Sequence, residues 1–150
     1  MSRVPVVFVI YYSTYGHIEK LARSVMKGLE ESGVNAKLFQ IEETLSQEIL
    51  EKMHAPPKAS NVPVISASQL PEADGYLFGL PTRFGSVPAQ MKTFFDSCGQ
   101  LWFTGALYGK FVGTFFSTAS QASGQETTAL SCLPFFVHQG MRYVPIGYKN

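Results

Sequence analysis

Ser13, Thr14, Tyr15, Gly16, His17 and Ile18 form the stretch of this sequence best equipped for ligand chemistry. It offers hydroxyls, backbone N–H groups and one permissive glycine, with no lysine or arginine among them. Placed ahead of a helix, such a loop is an anion site. The first-turn amides lack intrahelical partners, and the positive end of the helix dipole points outward. The loop lacks G-x-G-x-x-G, so it carries no dinucleotide fingerprint, and it lacks G-x-x-x-x-G-K-[ST], so no lysine waits for a triphosphate. Neutral donors suit a single terminal phosphate. The competing account is an ordinary Ser/Thr helix cap, and the loop alone does not separate the two.

The flanking elements position that loop. Residues 4–10 are apolar and rich in β-branched side chains, the make-up of a central strand buried on both faces. Ile18, Leu21, Ala22, Val25 and Leu29 recur at helical spacing, and Gly33 is a natural stop. Residues 35–41 read as a strand near a sheet edge, 42–53 as a helix, and 54–61, with Pro56 and Pro57, as a loop. Residues 62–65 read as extended and 68–73 as a helical turn. A strand over 75–80 runs into a second polar loop, Pro81, Thr82, Arg83, Phe84 and Gly85. Pro88 suits a first helical position, and Met91, Phe94, Phe95 and Cys98 give that helix an apolar face. Residues 99–109 read as a loop containing Trp102, and 110–116 as a strand. A third polar loop comes next, with Ser117, Thr118, Ala119, Ser120, Gln121, Ala122 and Ser123. A helix over 125–139 is expected to kink at Pro134, which lacks an N–H, and 142–147 to form a last strand. Alternating strands and helices imply an α/β fold with a parallel sheet covered on both faces. Three polar loops then meet outside the carboxyl ends of the strands, where open α/β sheets bind ligands. Flavin mononucleotide (FMN), with one terminal phosphate, fits that place.

Composition narrows the classes. The chain has 150 residues, enough for one domain, residues 1–150, with a substantial core. Hydrophobic residues make up 45% and charged residues 15%, which argues against extended disorder. A net charge of +1 with no charge run gives no nucleic-acid patch. The N-terminal apolar run is too short to span a membrane, and no signal-peptide cleavage pattern is evident. Cys98 and Cys132 have no C-x-x-C spacing and read as reduced, buried thiols of a cytoplasmic protein. No metal-ligand cluster, nucleophile or catalytic triad is found.

Tyr11-Tyr12-Ser13-Thr14-Tyr15-Gly16-His17, Gly79-Leu80-Pro81-Thr82-Arg83-Phe84-Gly85, Gly124-Gln125-Glu126-Thr127-Thr128 and Val144-Pro145-Ile146-Gly147-Tyr148 resemble the WrbA-type NAD(P)H:quinone oxidoreductases. These are flavodoxin-like FMN enzymes, and the resemblance runs through essentially the whole chain in order. It implies a doubly wound five-stranded parallel sheet in the order 2-1-3-4-5, a homotetramer, and two-electron transfer from NAD(P)H to quinones. By that resemblance residues 13–18 hold the FMN phosphate, with Tyr15 also touching the nicotinamide cofactor. Thr82, Arg83 and Phe84, within the 81–85 loop, meet the isoalloxazine ring and ribityl chain, and 117–123 wrap its other side. Trp102 walls the substrate pocket and His138 borders it. The sequence departs from the family in a third loop poorer in glycine, in Gln139 where a second histidine is usual, and in a C-terminus that stops earlier.

Each assignment has a plainer competitor. Arg83 can be a solvated loop arginine, Tyr15 an exposed aromatic, Trp102 a core residue and His138 a satisfied helix-end histidine. His17 serves the helix start, and Phe94 and Phe95 belong to the core and its margin. At the level of function, the alternatives are a flavodoxin-type electron carrier and a flavin-free scaffold on the same fold. Carriers usually dock through acidic surfaces, which a net charge of +1 does not supply. In a 2-1-3-4-5 sheet the first helix shares its face with a helix after the fifth strand. Here the chain stops directly after that strand, so an apolar face is expected to be bare. The 150 residues are then expected to be a fragment of a longer chain, or to be covered by another subunit.

Overall fold

β1, Val6–Tyr11, is the central strand that its composition predicts, with Phe8 and Ile10 buried toward one face and Val9 and Tyr11 toward the other. The computed structural model describes residues 3–147. Five parallel strands stand in the order β2-β1-β3-β4-β5: β1, β2 (Asn35–Gln40), β3 (Gly75–Pro81), β4 (Phe111–Ser117) and β5 (Arg142–Tyr143). β1 pairs with β2 from Val6↔Asn35 and with β3 from Val7↔Gly75, and β3 pairs with β4 from Gly75↔Phe111. Asn35–Gln40 is an edge strand, as its polar residues suggested.

The helices divide between the faces. α1, His17–Glu31, packs Ile18 and Ala22 on Val9 and Tyr11. It ends at Ser32, and Gly33 comes next at φ 75. On the opposite face, α3 (Ala89–Asp96), α4 (Gly99–Thr104) and α6 (Leu133–His138) close the larger core. Phe78 sits against Phe95 at 5.5 Å and Phe136 at 5.7 Å between ring centroids, and all three rings are buried. Beside α1, an apolar hollow of about 340 Å³ is lined by Leu29, Leu77, Phe111, Val144 and Ile146, among others. That hollow lies on the α1 face of the sheet.

Several boundaries differ from the sequence expectation. Residues 42–46 are irregular, and α2 spans only Gln47–Lys52. Glu43 turns its carboxylate onto the Thr44 and Leu45 amides (2.9 and 3.1 Å) and so competes with helix formation. Ser46 then caps α2 by accepting from the Ile49 amide. Residues 62–65, read as extended, contribute one isolated parallel bridge, Gln40↔Val64, and Ala67–Glu72 forms the expected turn as a 3-10 helix. Pro88 stands at the N-cap of α3, not inside it. Gly99–Thr104 is helical where a loop was expected, and Trp102 sits within it. The kink expected at Pro134 is a full break: α5, Gln125–Leu130, ends before α6, and Pro134 takes a first-turn position in α6, where its missing N–H costs nothing. β5 stops after two residues. One further bond runs from the Val144 amide to the Val112 carbonyl, and Pro145 then offers no donor. Tyr148, part of the last matching motif, lies outside the described residues.

Candidate functional site

The loops after β1, β3 and β4 do converge. They enclose a cleft of about 400 Å³ at the carboxyl edge of the sheet, lined by Ser13, Thr14, Tyr15, His17, Ile18, Pro81, Thr82, Arg83, Ser117, Thr118 and Ala119. The first wall is the start of α1. Gly16 takes a left-handed φ of 85 at its N-cap, and no side chain caps the helix. Ser13 Oγ instead accepts from the Gly16 amide at 3.0 Å, which folds the loop into a cup beneath the first-turn N–H groups. A Cβ on Gly16 would meet nothing within 4 Å, so the space in front of that cup is open. Uncapped amides, open space and neutral hydroxyls fit a terminal phosphate. Tyr15 stands at the rim, its hydroxyl donating to the Met53 carbonyl at 3.1 Å.

The second wall is Pro81–Arg83. Arg83 is not a solvated arginine: its guanidinium donates to the Thr82 carbonyl and to Thr14 Oγ1, both at 2.9 Å, bridging the second loop to the first. Phe84 comes next at φ 53 with its side chain fully exposed. A left-handed phenylalanine persists only where its surroundings impose it. Here Arg83 and Ser86 exchange two backbone hydrogen bonds, and the Gly85 amide donates to Thr82 Oγ1 at 3.1 Å. Phe84 and Gly85 do not line the cleft itself.

The third wall is held against the second. The Thr82 amide donates to the Ser117 carbonyl at 3.3 Å, and Thr82 Oγ1 accepts from Thr128 Oγ1 at 2.8 Å. Below these bonds Gly85 and Gly124 face each other with left-handed φ of 75 and 82, so closely that a Cβ on Gly124 would come within 2.7 Å of the Gly85 Cα. Of the third-loop residues singled out by sequence, Ser117, Thr118 and Ala119 reach the cleft; Ser120, Gln121, Ala122 and Ser123 do not line it. Ala122 adopts φ 55, the left-handed conformation that a glycine would take freely.

Trp102 and His138 stand elsewhere. Trp102 is 59% exposed on α4, and His138 ends α6 beside a separate hollow with Lys92, Asp96 and Phe135; neither lines the cleft of its own chain. Cys98 and Cys132 are buried, free thiols, and burial pushes them up to about 11 and about 12, so they stay protonated and inert. No His/Cys/Asp/Glu group suited to a metal occurs among the described residues. Sequence reasoning missed Tyr12, Glu43, Lys58 and Gln90, which form a polar cluster behind the first loop. It also missed Thr128. Tyr12 and Thr128 lie within the matching motifs, but their roles rest, like those of Glu43, Lys58 and Gln90, on contacts 31 to 47 positions away.

A sequence model of the family described as NADPH-dependent FMN reductase matches residues 6–149. The chain is 59% identical over 143 residues to quinone-oxidoreductase QR2 of Triphysaria versicolor, covering 95% of this chain and 69% of that one. It is 50% identical over 142 residues to the NAD(P)H quinone oxidoreductase YCP4 of Candida albicans, covering 95% of this chain and 49% of that one. Among solved structures, the flavodoxin WrbA-like protein from Agrobacterium tumefaciens superposes with a TM-score of 0.72 at 27% identity, covering 96% of this chain and 79% of that one.

Proposed function

Because the chain belongs to the family described as NADPH-dependent FMN reductase, we propose that it is an FMN-dependent enzyme carrying two electrons from NAD(P)H to a quinone. One observation carries the reading: three loops meet around an uncapped helix start, in a cleft with the first-turn amides on one wall and residues 81–83 and 117–119 on the others. The relatives named as quinone oxidoreductases support it. The whole of residues 1–150 serves as one FMN-binding domain.

FMN supplies the redox chemistry when bound, accepting a hydride and releasing two electrons. The protein binds and orients. The first-turn amides of α1 and the Ser13 hydroxyl would take the phosphate, with Thr14 lining the same cup. Thr82 and Arg83 would hold the ribityl chain and ring, and the 117–119 backbone would close the other edge, where its N–H groups could stabilise negative charge on the reduced flavin. Tyr15, at the rim, would meet the nicotinamide cofactor, as the resemblance implies. Trp102 and His138 do not line their own cleft, so a place at the substrate requires a second copy to present them. The proposed assembly is therefore a homo-oligomer, tetrameric by resemblance, and the two free, buried thiols suit a cytoplasmic setting.

Sheet and loops leave one open side, which serves NAD(P)H first and the quinone second. Steady-state kinetics are expected to be ping-pong, with parallel lines in double-reciprocal plots against quinone at several NAD(P)H concentrations. Intersecting lines would show both substrates bound together and refute the shared side.

A further inference from the structure

Behind the first loop, outside the cleft, lies a polar cluster that the proposed chemistry does not use. Its centre is Glu43, whose side chain is 13% exposed. Oε1 accepts from Gln90 Nε2 at 2.8 Å and from the Thr44 and Leu45 amides. Oε2 accepts from the Tyr12 hydroxyl at 3.0 Å and lies 3.2 Å from Lys58 Nζ. These donors come from four segments: the start of α3, the irregular 42–46 stretch, the end of β1 and the Pro56-Pro57 loop.

A carboxylate only accepts hydrogen bonds, and that sets the direction of each bond leading away from Glu43. Tyr12 commits its one proton to Glu43 and therefore accepts from Thr14 Oγ1 at 3.3 Å. Thr14 has then used its own proton and accepts from Arg83 Nη2 at 2.9 Å. A second branch runs through Lys58. Its ammonium donates to the Ser13 carbonyl at 3.2 Å and lies 4.0 Å from the Tyr12 ring centroid. Both branches end on adjacent residues of the phosphate loop, and one continues to the second wall.

We propose that Glu43 is the positioning residue of the flavin phosphate site, holding the Ser13 carbonyl through Lys58 and Arg83 through Tyr12 and Thr14. This rests on the assignment of the cleft to FMN. Burial opposes ionisation of Glu43, but the Leu45 amide, the Tyr12 hydroxyl, Lys58 and Gln90 outweigh it and hold the carboxyl below its ordinary range. The hub is therefore charged at neutral pH. In Glu43→Gln one oxygen becomes an amide donor. If that group faces Tyr12 and Lys58, donor meets donor and the chain reverses. If it faces Gln90 and the two amides, the same conflict arises there.

The test compares FMN with riboflavin, which lacks the phosphate, by fluorescence titration of apoprotein. In Glu43→Gln, FMN binding is expected to weaken about tenfold more than riboflavin binding, ~1.4 kcal/mol of phosphate-specific affinity. Lys58→Met should shift the same preference in the same direction, and it decides the matter if Glu43→Gln does not fold. The double variant should be no worse than Glu43→Gln alone, because the two residues act along one path. Equal weakening of both flavins would mean that Glu43 merely stabilises the fold, and no change in either would mean that the cluster does not reach the site. Additive effects in the double variant would overturn the shared path. Wild-type protein that binds neither flavin would overturn the cofactor assignment, and this proposal with it.

Discussion

Gly124→Ala is expected to lower the melting temperature by roughly 5–15 °C and to weaken FMN binding at least about tenfold. Two costs add. Gly124 sits at φ 82, where an L side chain loses about 1–2 kcal/mol. Its Cβ would lie 2.7 Å from the Gly85 Cα and 3.1 Å from Thr127 Oγ1. The first of these is backbone, so relief must come from parting the second and third loops, an overpacking cost of about 1–3 kcal/mol. Parting them also disturbs Thr128, whose hydroxyl contacts the Gly124 carbonyl and Thr82 Oγ1 and so ties the two walls together. Gly33→Ala is the control. Gly33 has a similar φ of 75, but its Cβ would meet nothing within 4 Å. It should show the backbone strain alone and leave flavin affinity unchanged. If the two variants melt alike and bind FMN alike, the close contact of the two loops does not shape the cleft.

Ser13→Ala is expected to weaken FMN binding about 10- to 100-fold while leaving riboflavin binding nearly unchanged. A hydrogen bond to a charged phosphate contributes about 1.5–3 kcal/mol, which sets that range. Ser13 is nearly buried, and its Oγ also holds the Gly16 amide, so the substitution removes a donor and loosens the cup. The comparison with riboflavin isolates the phosphate. FMN affinity unchanged by the substitution, or riboflavin bound as tightly as FMN by the wild type, would place the phosphate somewhere other than the start of α1.

Much of this architecture can be read from local pattern. The apolar run of β1, the 3.6-residue period of α1 and the three polar loops each sit within a single short window, and the 2-1-3-4-5 order comes directly from the resemblance. The errors fall where a distant contact overrides local preference. Nothing in residues 42–46 says that Glu43 will turn onto its own backbone while also serving Tyr12, Lys58 and Gln90. Residues 99–104 look loop-like because Gly99 opens and Gly105 closes the segment, yet Leu101 anchors it to the core and the helix forms. The third loop was legible as polar but not in extent: its backbone turns away after Ala119, and only the first three residues line the cleft. Trp102 and His138 came from resemblance alone, and within one chain the fold keeps them out of the cleft.

The most direct test of FMN-dependent quinone reduction is the visible absorbance of the purified protein reconstituted with FMN, recorded before and after NAD(P)H and then a quinone are added without oxygen. The expected result is a bound-flavin spectrum that NAD(P)H bleaches and an equimolar quinone restores in full. Protein that retains no FMN, or whose bound flavin is bleached by NAD(P)H but not restored by any quinone, would contradict it.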